Sequence, residues 1–179
     1  MYGIIYKAFE QYVKDNFALE TWNFILSQSS FAMDNKTIDQ PYNDAKTLQL
    51  AQILSRNTNV PVDKILLQLG EYVVKKNREK YLLILESRDK NLKDYLLNLP
   101  NFHNRMLLIY PKLTPPEFKI TVVNDTILML HYYTSTTGMK EYIQGYLNGL
   151  VKAFESSVVV EHVVSRQSNK FEDVFKISW

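Results

Sequence analysis

One change of rhythm governs what this chain can become. In the first two-thirds, apolar side chains recur every three or four residues; after Pro115–Pro116 they alternate one by one in the segments that flank a single helical stretch. A period near 3.6 buries one stripe of a helix, and a period of 2 buries one face of a strand. Before the break, Ile4, Ile5, Ala8, Phe9 and Tyr12 predict a helix over 2–14, and Leu19 to Gln28 predicts a second. The polar run Ser29 to Gln40, punctuated by Pro41 and Asn43, reads as a loop. Asn43 or Asp44 can cap a third helix carrying Leu48, Leu50, Ala51 and Leu54. Pro61 suits the first turn of a fourth, whose apolar face is Val62, Ile65, Leu66, Leu69 and Val73. Tyr81 to Leu85 and Leu92 to Leu97 read as shorter pieces, followed by a helix starting near Pro100.

Beyond the break, Phe118, Ile120 and Val122 alternate with polar residues. Asn124–Asp125 makes a turn, and an apolar, aromatic strand runs on from Thr126 through Thr134 toward Thr136, which is a hairpin signature. Gly138 closes it. Met139, Tyr142, Ile143, Tyr146, Leu147, Leu150 and Phe154 then follow at helical spacing. Val158 to Val164 and Phe171 to Ile177 predict two more strands, joined by the polar turn Ser165 to Lys170. The expected architecture is α+β: an N-terminal helical lobe, then a four-stranded antiparallel sheet with one long helix. At 179 residues this is a single domain, 1–179.

Several function classes drop out. The chain has no cysteine, which removes disulfides, thiolate metal sites and cysteine nucleophiles. Lys+Arg 21 against Asp+Glu 19 leaves +2, with no basic excess to attract nucleic acid. Apolar runs stop at about five residues (Met106 to Tyr110) where a membrane span needs about 20. Lys7, Glu10, Lys14 and Asp15 interrupt any signal-peptide core, so the expected location is cytoplasmic. There is no glycine-rich phosphate loop and no Gly-x-Ser-x-Gly elbow, and the three histidines lack metal-cage spacing. An enzyme is poorly supported.

Among the remaining candidates, His103 stands out. One neutral imidazole is enough protein ligation for a haem iron, although a lone helical histidine more often binds nothing. In the strand that follows the hairpin turn, Tyr132, Thr134 and Thr136 project to one face. Three hydroxyls there can grip an anionic group, or simply line a wet strand face. Gly145 and Gly149 share a helix face one turn apart, at about 1 kcal/mol each against alanine. They imply close approach of a neighbour, either a flat cofactor or another element, unless they are tolerated surface glycines. Tyr142 lies one turn earlier on that face, where most tyrosines are core or boundary residues. His131 alternates with Tyr132 and so faces away from the hydroxyl row, and His162 sits on a late strand; neither is expected to be a ligand.

These pieces together resemble the haem-nitric oxide/oxygen binding (H-NOX) family, which includes the sensor domain of the soluble guanylate cyclase β subunit. The resemblance runs from Met-Tyr-Gly-Ile-Ile at residues 1–5 to the last strand. Leu-Pro-Asn-Phe-His-Asn at 99–104, Tyr-Pro at 110–111 and Pro-Pro-x-Phe at 115–118 are similar to the family's proximal region. Leu130-His131-Tyr132-Tyr133 followed by Gly138 is similar to the strand and turn of its haem-propionate motif.

The resemblance implies a haem b pocket between helical lobe and sheet, with residues 1–60 on the distal side and 61–179 supplying the proximal helix and sheet. His103 would ligate the iron, and Pro116 would press on the porphyrin. The family's Tyr-x-Ser-x-Arg motif falls on Tyr132, Thr134 and Thr136; a shift by one would use Tyr133, Ser135 and Thr137. Either way the arginine is lost, and with it a fixed fork that pairs a carboxylate twice. Lys140 is the nearest basic residue in sequence that could stand in. Haem could therefore bind ten-fold or more weakly, given about 1.5–3 kcal/mol per charged hydrogen bond. Tyr142 matches the distal tyrosine of some oxygen-binding relatives, with Phe9 and Val73 as apolar neighbours.

The expected function is a haem-based sensor of nitric oxide and oxygen, not an enzyme. With no cyclase or kinase attached, it would signal in trans, by family habit to a histidine kinase or a cyclic-di-GMP enzyme. The alternative is a haem-independent interaction module that kept the fold; a haem carrier is a third reading.

Overall fold

A computed structural model describes residues 3–29, 44–88, 91–109, 117–134, 136–164 and 172–179. Five helices come first: α1 (Gly3–Asn16), α2 (Leu19–Gln28), α3 (Asp44–Thr58), α4 (Val62–Arg88) and α5 (Leu92–Ile109). Then follow β1 (Glu117–Asn124), β2 (Ile127–Tyr133), α6 (Lys140–Ala153), β3 (Val159–Val164) and β4 (Glu172–Ser178). The fold is α+β, as the change of period requires. The expected loop 29–40 and the turn 165–170 lie almost wholly outside the described residues. No described helix is long and apolar enough to cross a membrane.

The helical stripes converge on one core. Phe9 and Val13 of α1, Ile25 of α2, Leu50 and Leu54 of α3, and Ile65, Leu66 and Leu69 of α4 are fully buried. They join Leu128, Leu130, Tyr132 and Phe175 of the sheet and Leu147 and Leu150 of α6 in a single cluster. Burying each large side chain contributes about 1.5–3 kcal/mol.

Two expected boundaries move. Tyr81 to Leu85 is not a separate piece but part of the 27-residue α4. Leu92 to Leu97 and the helix of His103 are one helix, α5, so Pro100 lies inside it rather than at its start. The true start is set by Asn91. Its side-chain oxygen accepts the Asp94 N–H at 2.9 Å, and its amide donates to the Asp94 carboxylate at 3.0 Å. Such a cap stabilises a helix by about 1 kcal/mol. Pro100 has no N–H to offer the carbonyl one turn back and crowds it, so α5 is weakest just before residue 103.

The sheet has the order β1-β2-β4-β3, every pair antiparallel. Asn124 forms the hairpin corner, accepting from the Thr126 N–H at 2.9 Å and the Thr126 hydroxyl at 3.0 Å. β2 stops at Tyr133, three residues before Thr136. There the Thr134 hydroxyl oxygen accepts the Thr136 N–H at 3.2 Å, closing a turn that Gly138 completes at φ 84°. Strand alternation therefore does not carry Thr134 and Thr136 onto the face of Tyr132.

Helix α6 lies against α4 along a glycine seam. A Cβ on Gly145 would stand 1.9 Å from the Leu67 carbonyl oxygen, and one on Gly70 would stand 2.2 Å from that of Tyr142. At Gly149 it would meet Val74 Cβ at 2.9 Å. The close neighbour of Gly145 and Gly149 is thus another helix, and not a flat cofactor.

Candidate functional site

The register of the sheet places Tyr132. Leu128, Leu130 and Tyr132 point into the core while Ile127, Met129, His131 and Tyr133 point out. Tyr132 is fully buried, its ring 5.3 Å from that of Phe118 on β1. Phe9 is fully buried on α1, edge-on to Tyr12 at 6.3 Å and tilted against Trp22 at 6.4 Å. Val73 on α4 and Tyr142 on α6 are 4% and 5% exposed. These four residues come from four elements and share one apolar cluster.

The other expected residues are placed differently. The backbone at 103 is helical, within α5. The His103 side chain and all of Pro116 lie outside the described residues. Thr134 and Thr136 occupy the turn after β2. Lys140 opens α6, and its exposed ammonium lies 3.2 Å from the Glu141 carboxylate.

The two remaining histidines are both held by carboxylates. His131 Nδ1 lies 2.5 Å from Glu172, which also accepts from the Tyr133 hydroxyl at 2.9 Å; His131 Nε2 meets the Thr121 hydroxyl at 3.0 Å. That network sits on the outer face, away from Tyr132, as its alternation predicts. His162 is on the inner side: Nε2 lies 3.0 Å from Asp173, and its ring is 4.9 Å from Phe175.

Sequence reasoning missed three groups. Asp173 is buried, and the alternation Asp173, Phe175, Ile177 on β4 was the available signal. Tyr95 and Tyr146 meet hydroxyl to hydroxyl at 2.8 Å, which no local pattern shows. Burial, and then the neighbouring Tyr95, push the Tyr146 phenol well above its ordinary range. A cleft of about 370 Å³ between α1, α4 and α6 is rimmed by Tyr12, Tyr72, Lys75 and Lys152. It contains none of the expected ligand residues.

The donor set around Tyr132 has a definite chemical preference. Its walls are apolar apart from Asp173 directly across the strands, its own phenol is neutral, and no arginine stands at the motif position. Apolar walls and a neutral hydroxyl donor suit a largely apolar group that carries an acceptor oxygen. A family profile described as Haem-NO-binding matches residues 2–162. The chain belongs to the H-NOX family. H-NOX domains are haem-based gas sensors, and an apolar cluster bearing a neutral hydroxyl donor is chemically suited to that group.

Its relatives agree. The soluble guanylate cyclase gcy-31 of Caenorhabditis elegans is 26% identical over 166 residues, covering 90% of this chain and 23% of the cyclase. The soluble guanylate cyclase 89Db of Drosophila melanogaster is 24% identical over 170 residues, covering 94% and 25%. The H-NOX chain thus spans about a quarter of the length of these relatives. The Fe(II) unliganded H-NOX protein from K. algicida superposes with a TM-score of 0.83 at 28% identity, over 99% of this chain and 96% of that one. An H-NOX protein from S. oneidensis shares the fold at a TM-score of 0.86 and 14% identity, over 99% and 98%.

Proposed function

We propose that this chain is a sensor that holds haem b, reads nitric oxide and oxygen in the cytoplasm, and passes the signal to a separate protein. The observation that carries this reading is the family match over residues 2–162, which spans every residue assigned a haem role. Bound haem supplies an iron that can take a diatomic ligand. His103 would hold that iron from α5, and Pro116 would press on the macrocycle. Tyr132, Thr134 and Thr136 would donate to the haem carboxylates. Phe9 and Val73 would keep water out of the distal side, and the Tyr142 hydroxyl would donate a hydrogen bond to bound oxygen. Movement of α5 would be what the partner reads, a two-state element biased by ligand. A histidine kinase or a cyclic-di-GMP enzyme is the proposed partner. The domain itself carries out no reaction.

Haem titration with absorption spectroscopy tests this. One equivalent of haem should give a Soret band that shifts with nitric oxide and is lost in His103→Ala. A wild-type chain that takes up no haem overturns the reading.

A further inference from the structure

We infer that the buried Asp173–His162 pair limits how much negative charge the haem edge beside Tyr132 can carry. This inference rests on the haem reading above. Tyr132 and Asp173 are direct cross-strand partners, and Leu130↔Phe175 and Leu128↔Ile177 continue the same inward face. Directly opposite residues on one face have Cβ atoms about 4.5–5.5 Å apart. Asp173 is 5% exposed, and it is the only buried charged side chain among the described residues. Its hydrogen-bond partner is the His162 imidazole at 3.0 Å.

Lys176 alternates to the face opposite Asp173, where it pairs with Glu161 at 3.5 Å, and Lys140 pairs with Glu141 at 3.2 Å. The motif position that carries arginine in relatives is Thr136. Among the described residues, the inward face at Tyr132 therefore carries one neutral hydroxyl, its own, and one carboxylate, that of Asp173. Two like charges on one buried face repel more strongly than on an exposed one, because little water screens them. A haem propionate brought to Tyr132 meets that repulsion. His162, on the far side of Asp173, offsets part of it by drawing the carboxylate toward itself. A porphyrin whose propionates are esterified meets none of it. Asp173 and His162 thus act as positioning residues for the charge of the cofactor edge, and touch no reacting atom.

Paired titrations with haem and with its dimethyl ester test this. Asp173→Asn keeps the shape and the hydrogen bond to His162. It should tighten haem about three- to tenfold and leave the ester unchanged. His162→Gln removes the imidazole and should weaken haem by a similar factor, again without effect on the ester. Equal shifts for both porphyrins, as lost packing would give, overturn the inference, as does unchanged haem affinity in Asp173→Asn. If the folded wild type binds neither porphyrin, the haem reading falls, and this inference with it.

Discussion

The hydroxyl oxygens of Tyr95 and Tyr146 lie 2.8 Å apart and tie α5 to α6. The ring of Phe154, just past the end of α6, lies 5.5 Å from that of Tyr95. Tyr95 and residue 103 are eight positions apart on α5, about two turns along one face. The N-terminal half of that helix is also held by Lys93, which donates to the Asp125 carbonyl at 2.7 Å.

Removing either hydroxyl should cost the fold about 1 kcal/mol, the net worth of an ordinary hydrogen bond. Tyr95→Phe and Tyr146→Phe should each lower the urea midpoint, and the double variant should be little worse than the weaker single one. Additive losses in that cycle would mean the two groups do not interact.

The glycine seam makes a harder prediction. Gly145→Ala should destabilise by about 1–3 kcal/mol, because its Cβ meets a backbone carbonyl that cannot swing aside. Gly138→Ala should cost less, since only the flexible end of Leu48 lies near and the penalty is that of a positive φ. Urea unfolding of both variants ranks them; the reverse order would rule out tight α4–α6 packing.

Alkaline stability follows from Tyr12. Burial pushes its phenol from an ordinary 10.0 to about 12. Below pH 10 both folded and unfolded chains keep the proton, so this contribution is fully present. Between 10 and about 12 the unfolded chain ionises first, and stability falls as pH rises. The Tyr146 and Tyr6 phenols are raised too and add in the same direction. Unfolding midpoints measured from pH 8 upward should decline, and Tyr12→Phe should decline less steeply over that window.

Much of the architecture was legible in the sequence because burial imposes its period on the residues. Leu19 to Gln28 is a helix with those limits, and the alternation of Phe118, Ile120 and Val122 marks β1. The start of α5 went astray because Pro100 is a louder local signal than Asn91, yet Asn91 supplies the cap. The end of β2 went astray because threonine favours strands, while the Thr134 hydroxyl prefers a turn with the Thr136 N–H. At the candidate site, the inward face of Tyr132 could be read from alternation alone. Asp173 escaped notice because its importance arises only when β4 pairs with β2, a register that no single segment contains.

Pro100 divides α5 between its fastened beginning and the stretch that carries residue 103. A rod riveted at one end and notched in the middle bends at the notch when its free end is pushed. Force applied at residue 103 would therefore go into swinging the last two turns, while the rivet at Tyr95 stays where it is.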